Sequence, residues 1–338
     1  RSARRRMVGI KMITLEHDEL VIRFPEVHPN AAARISFQRT LRIPDDGSDY
    51  PLPPGMGEFP LQHVEDHQAK LPANWLKRGG VFLPMYQSEA LWINFEGGRN
   101  EYPIALQIAA GKINAVNGEP WQDEMQFKPQ GYVVTSQQPW LDGFCIEKGR
   151  IRHFVSAPLG DGVTVEEQLT GKAEFGGIQI RAWPLKASVY KALQDDRPSF
   201  MRSSEPMLDM CSVSSLDMGL GMGGSMKQEI YDDRFSPDQW ETGFSSRCFV
   251  HLMNSMSYAQ VTGHLPPHRL YEAADYAAAG LPWFDYYSDR VALEGSKQLL
   301  ELKSWKDFHG ISPETLAKSD IKNVVGIGNK TGGGVKVT

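Results

Sequence analysis

Four side chains in the first half of the chain combine ring surfaces, an imidazole and a carboxylate: Trp92, Trp140, His153 and Glu166. Tryptophan rings offer flat apolar surfaces on which a ligand such as a sugar packs. Histidine and glutamate are common proton-transfer groups in enzymes. If the fold brings the four together, we expect an enzyme or a small-ligand-binding protein with a pocket that they line.

A second unusual feature is a run of methionines, because six of the 13 fall between Met201 and Met226 in a glycine-rich segment. Thioethers are ligands for Cu(I), so the spacing of Met218, Met222 and Met226 allows a Cu(I) site. Unbranched methionines on a flexible loop also form an adaptable apolar surface. We favour this second interpretation, in which these three methionines contact a partner or another copy of the chain.

A third feature is an aromatic segment near the C-terminus, formed by Trp283, Phe284, Tyr286 and Tyr287. Four large rings in five residues are difficult to bury in one short segment, and aromatic residues are enriched at protein interfaces. We therefore predict that this segment is a second contact element.

Other motifs carry no assignable chemistry. Residues 219–224 match the G-x-G-x-x-G pattern, but no regular strand–helix–strand unit surrounds them, so we reject a dinucleotide site. His63 and His67 have a helical spacing that could bind zinc, yet prolines on both sides leave room for only a short helix. We predict no cofactor and no metal, and we assign no catalytic residue.

Composition excludes several classes of protein. The chain has 338 residues, with 36 Lys and Arg against 41 Asp and Glu, for a net charge of −5. Proteins that bind nucleic acid through phosphate contacts are usually basic, so we predict no nucleic-acid partner. No apolar run approaches the roughly 20 residues of a membrane-spanning helix, and three cysteines do not make a disulfide framework. We expect a cytoplasmic protein without a transmembrane segment.

The elements that must position these residues are mostly strands. Residues 33–43 alternate apolar and polar side chains, and residues 144–155 read as a hairpin with Lys148 and Gly149 in its turn. In the simplest register of that hairpin, Phe144 lies opposite His153. Residues 164–167 have the spacing of a capping box and begin a short helix.

The sequence therefore predicts a β-rich α+β protein with an antiparallel sandwich- or barrel-like body. Its predicted regions are a basic tail (1–8), the β-rich body (9–186), a Met/Gly/Ser-rich arm or linker (187–228), a mixed C-terminal region (229–322) and a glycine-rich tail (323–338).

Five blocks add a resemblance: MYQSEALW from residue 85, AAGKINAV from 109, QPWLDGFC from 138, VEEQLTG from 165 and GLPWFDYY from 280. Together they resemble a family of uncharacterised, mostly bacterial proteins. The resemblance implies a bacterial, cytosolic origin, and it transfers no activity.

We expect a non-catalytic binding or assembly protein that forms homo-oligomers through the methionine arm and the aromatic segment. The alternatives are the enzyme or ligand-binding pocket in the β body and the Cu(I) site.

Overall fold

The computed structural model describes residues 12–43, 53, 55–97, 102–195, 217–266, 295–304 and 307. Within these ranges, fifteen strands belong to one connected sheet and five short α-helices accompany them. The prediction of a β-rich α+β protein is confirmed.

The strands are β1 (Ile13–Glu16), β2 (Glu19–Arg23), β3 (Ala32–Thr40), β4 (Gln62–His63), β5 (Val81–Met85), β6 (Ala90–Gly97), β7 (Ile104–Ala110), β8 (Ile113–Asn114), β9 (Val133–Val134), β10 (Trp140–Leu141), β11 (Gly143–Glu147), β12 (Arg150–Pro158), β13 (Ile178–Pro184), β14 (Asp217–Lys227) and β15 (Ser246–Asn254). The helices are α1 (Ala73–Arg78), α2 (Val165–Thr170), α3 (Ala187–Asp195), α4 (Ser255–Thr262) and α5 (Lys297–Leu300).

The main path through the sheet runs β1-β2-β3-β6-β12-β14-β15-β13-β7-β8. The pairs along this path are antiparallel, whereas β5 pairs with β15 in parallel. Strand β1 is the first strand of the path, so one of its edges pairs with no described strand. This edge borders the site described below.

The β11–β12 hairpin forms as predicted at its turn, but its register differs further along. Glu147 lies opposite Arg150, whereas a bulge between Cys145 and Glu147 places Gly143, rather than Phe144, opposite His153. The Ser296 backbone N–H donates to the Cys145 carbonyl at 3.1 Å. The bulge is thus accompanied by a hydrogen bond from a segment about 150 residues away. The sequence of the hairpin alone does not reveal this contact.

The predicted capping box at the start of α2 is present. The Thr164 side chain accepts a hydrogen bond from the Glu167 backbone N–H, and the Glu167 carboxylate accepts one from the Thr164 N–H. Gly171 ends the helix in the left-handed conformation, with φ of 70°. Local side-chain chemistry was sufficient to predict this element.

The assignment of residues 187–228 to an arm or linker is corrected at both of its ends. The first residues form α3, and residues 217–227 form β14, which pairs with β12 and β15. The glycine run 219–224 is the middle of this strand and not a turn from a strand into a helix. Residues 196–216 lie outside the described residues.

The core contains buried apolar side chains from nearly all of these strands. In the part of the chain that the structure describes, no helix combines the length and the apolar character needed to cross a membrane.

Candidate functional site

The structure brings together only some of the side chains that the sequence singled out. The rings of Trp92 and Trp140 contact each other edge to face, with centroids 6.3 Å apart, because β10 pairs with β6. Phe154 pairs with Leu91, so His153 lies beside Trp92 in the strand register. Glu166 instead contacts the backbone of Phe175 and Gly176.

The surroundings of His153 are closely packed. Its side chain is fully buried, and burial lowers its pKa to about 3, so the ring is neutral near pH 7. Neither ring nitrogen has a hydrogen-bond partner among the described residues. A Cβ atom at Gly223 would lie 2.9 Å from the His153 Cβ, which shows how closely β14 packs against β12 here. The His153 side chain is therefore enclosed by its neighbours and shielded from solvent.

Met218, Met222 and Met226 are fully buried in the core, which corrects their assignment as contact residues. Met218 and Met222 share one face of β14, and a register shift between Met222 and Ser225 interrupts the alternation before Met226. The sulfur of Met218 accepts a contact from the Asn254 amide at 4.0 Å. The other predicted contact residues, Trp283, Phe284, Tyr286 and Tyr287, lie outside the described residues.

A cavity of about 420 Å³ lies between the β1–β2 hairpin and the strands β4, β5 and β15. Its apolar lining consists of Ile13, Leu15, Leu20, Val81 and Phe249. Its polar lining includes Thr14, His63, Glu65, Arg78, Arg247 and Cys248. The lining therefore combines aliphatic side chains of the β1–β2 hairpin with a wall around Phe249 that carries two guanidinium groups.

Both guanidinium groups rest on aromatic rings. Arg247 lies 4.8 Å from the Phe249 ring centroid and 4.7 Å from that of Trp121. Arg78 lies 4.0 Å from the Phe175 centroid and 6.0 Å from that of Phe249. A cation over a ring face is attracted by the ring quadrupole, and this attraction is stronger where the pair is desolvated. The rings therefore fix the positions of both charges.

Hydrogen bonds orient the same two groups. Arg78 donates to the backbone carbonyls of Glu174, at 2.8 Å, and Phe175, at 3.3 Å. Arg247 donates to the Gln179 amide oxygen and, at 3.2 Å, to the Asp123 carboxylate. Partial burial lowers the pKa of Arg247, but an arginine stays charged under any physiological condition.

Asp123 is an exposed carboxylate at the edge of this wall. It accepts hydrogen bonds from the Trp121 indole at 3.0 Å and from Arg181 at 2.7 Å, in addition to that from Arg247. The Trp121 hydrogen bond, followed by the charges of the two arginines, lowers its pKa. Its side chain is 58% exposed. The hydrogen bond that it accepts from Arg247 is therefore accessible to solvent.

Glu166, which the sequence placed in a ligand pocket, acts on this wall indirectly. Its buried carboxylate accepts the backbone N–H groups of Phe175, at 3.1 Å, and Gly176, at 2.9 Å. Burial raises its pKa, and these two hydrogen bonds oppose that shift. Glu166 therefore holds the turn whose carbonyls and ring contact Arg78.

The cavity does not contain an activated thiol. Cys248 lines it, but burial raises the pKa of this thiol to about 12, so it stays protonated near pH 7 and is a poor nucleophile. Among the described side chains, no three His, Cys, Asp or Glu residues form a group that could hold a metal ion.

Sequence reasoning missed Arg78, Arg247 and Phe249. One signal was present: along β15, Arg247, Phe249 and His251 alternate with Cys248, Val250 and Leu252, of which the second set is buried. This alternation places one cation and two rings on the same strand face. The position of Arg78 beside it depends on tertiary packing.

Comparisons with protein-family models, with curated proteins and with solved structures gave no match. The family resemblance described above stays a prediction from the sequence blocks.

Proposed function

We propose that the protein binds a small organic anion in the cavity between the β1–β2 hairpin and β15. The observation that carries this proposal is the pair of guanidinium groups, Arg78 and Arg247, in one wall of a cavity of about 420 Å³. Most small-molecule sites are concave, largely apolar and contain a few fixed polar groups. The proposal keeps the ligand-binding alternative raised by the sequence and moves it to other residues.

The arrangement suits a carboxylate or a phosphate. A guanidinium group carries five N–H donors, and charge-assisted hydrogen bonds from it to such an anion are about twice as strong as neutral ones. The rings beneath Arg78 and Arg247 restrict both side chains before a ligand arrives, which reduces the entropy lost on binding.

The same lining favours binding over catalysis. The Cys248 thiol in this lining is protonated near pH 7 and is a poor nucleophile. We therefore propose a non-catalytic role for the cavity.

Isothermal titration calorimetry with hexanoate and with the neutral hexanamide tests this proposal. We expect hexanoate to bind at least about tenfold more tightly, because a hydrogen bond to a charged group contributes about 1.5–3 kcal/mol. Arg247→Met should reduce hexanoate affinity by a similar factor.

Arg150→Met is the matched control. Like Arg247, Arg150 is partly exposed and pairs with a carboxylate, that of Glu147, but it does not line the cavity. Equal binding of hexanoate and hexanamide, or an equal loss of affinity in both arginine variants, would contradict the proposal.

A further inference from the structure

We infer that the anion is amphipathic, a carboxylate or a phosphate monoester whose hydrocarbon part packs on the β1–β2 hairpin. This inference rests on the proposed function, since it adds the chemical class of the ligand to the same cavity. Arg78 and Arg247 would bind the charged end of the ligand. The side chains of the hairpin determine which chemical group the other end must carry.

The part of the lining that comes from the hairpin is mostly apolar and incompletely covered. Leu15 pairs with Leu20, and Ile13 pairs with Ile22, so the four side chains share one face of the hairpin. Leu20 and Ile22 are each 1% exposed, whereas Ile13 and Leu15 are only half-buried. Of these four, Ile13, Leu15 and Leu20 line the cavity. The uncovered part of the apolar face is therefore turned to the space in which a ligand would lie.

The charged side chains of the hairpin form ion pairs on its other face, either within the hairpin or with Arg34 of β3. Glu16 accepts two hydrogen bonds from Arg23, at 2.7 and 3.0 Å, and Glu19 accepts one from Arg34 at 2.6 Å. The Arg23 hydrogen bond lowers the pKa of Glu16 to about 2. These ion pairs leave the hairpin side of the cavity dominated by aliphatic groups.

The hairpin is fixed firmly enough to serve as a wall. Its turn residues, His17 and Asp18, both have positive φ, at 50° and 63°, the backbone required by the tight two-residue turns that match strand twist. The Asp18 carboxylate accepts the Leu61 backbone N–H at 2.8 Å. The ligand's hydrocarbon part would thus meet a preformed surface.

A chain-length series tests the inference: acetate, butanoate, hexanoate and octanoate, titrated under identical conditions. Burial of each methylene contributes about 0.8 kcal/mol, so we expect up to about a fourfold gain in affinity per added methylene. Hexyl phosphate, compared with hexanoate, identifies the preferred head group. Arg247→Met should weaken all members of the series by the same factor.

Leu15→Ser should weaken hexanoate about tenfold or more and leave acetate unchanged, because only the longer ligand reaches the hairpin. Ile13→Ser provides a second variant in case the first folds poorly, and thermal unfolding of both checks the fold. Leu300→Ser, at an exposed leucine outside the cavity lining, is the control and should change neither ligand.

The outcomes separate the two proposals. Affinity that depends on Arg247 but not on chain length would overturn the amphipathic ligand and keep the anion site. Absence of binding by any member of the series, including hexyl phosphate, would overturn both.

Discussion

Two regions of this sheet collect polar side chains, and they differ in what packs against them. Around His153 and Trp92, the glycines of β14 allow neighbouring backbone and side chains to approach closely, and the polar groups are enclosed. Around Arg78 and Arg247, a cavity lies between the β1–β2 hairpin and the strands β5 and β15. The comparison shows that residue type did not determine the site; the space beside the residues did.

The largest expected effect concerns the enclosed region around His153, whose burial should make the stability of the fold sensitive to acid. The pKa of His153 falls from 6.5 to about 3 on folding, so between these values the unfolded chain takes up a proton that the folded chain does not. Stability should therefore decrease as pH falls through this range, by about 2–3 kcal/mol between pH 7 and pH 4.5.

Urea unfolding of the wild type and of His153→Leu at pH 7 and pH 4.5 measures how much stability is lost through His153 on acidification. On acidification, we expect the leucine variant to lose about 2–3 kcal/mol less stability than the wild type. Some loss should remain in the variant, because burial also lowers the pKa of His251. His17→Asn, at an exposed turn residue, is the control. An identical loss in wild type and His153→Leu would show that His153 is not responsible.

A smaller effect tests the close packing directly. In Gly223→Ala the new methyl group would lie 2.7 Å from a Val155 methyl and 3.0 Å from the His153 carbonyl, so we expect a loss of about 1–3 kcal/mol from overpacking. Gly221→Ala is the matched variant on the same strand, where the nearest atom would be 3.5 Å away. Its stability should stay close to that of the wild type. Equal stability of the two variants, measured by chemical denaturation, would mean that this region is not tightly enclosed.

The smallest effect concerns the open region. Asp123 competes with any bound anion for the donors of Arg247, so Asp123→Asn should increase hexanoate affinity by about two- to fivefold, the range expected for an exposed ion pair. Titration calorimetry at low salt measures the change. Glu147→Gln, which removes the carboxylate partner of Arg150, should leave hexanoate binding unaltered. A weaker affinity in Asp123→Asn would instead make Asp123 part of the binding surface.

Much of the fold was predictable because its signals are local. The alternation of residues 33–43, the Lys148–Gly149 turn and the capping box at Thr164 each depend on neighbours within a few positions. The bulge before Glu147 and the inclusion of residues 217–227 in the sheet were not predictable, because both depend on contacts with distant segments.

The candidate site was less accessible to sequence reasoning for the same reason. Arg78 is the last residue of α1, Arg247 lies on β15, and much of the apolar lining comes from the β1–β2 hairpin, so the cavity joins segments more than 200 positions apart. Glu166 was singled out as a ligand-binding side chain, and the structure shows that it holds the turn beneath Arg78. A carboxylate that satisfies backbone donors and one that binds a ligand have the same appearance in a sequence.

The position of β1 at the end of the described sheet path has a consequence for the behaviour of the protein in concentrated solution. The Arg23 backbone N–H donates to the Met12 carbonyl, so in the alternating antiparallel pattern the backbone groups of Ile13 and Leu15 point away from β2. Unpaired strand edges are where separate chains join into aggregates. An amphipathic anion packed on Ile13 and Leu15 would shield this edge, so a filled cavity should also make the protein more resistant to aggregation.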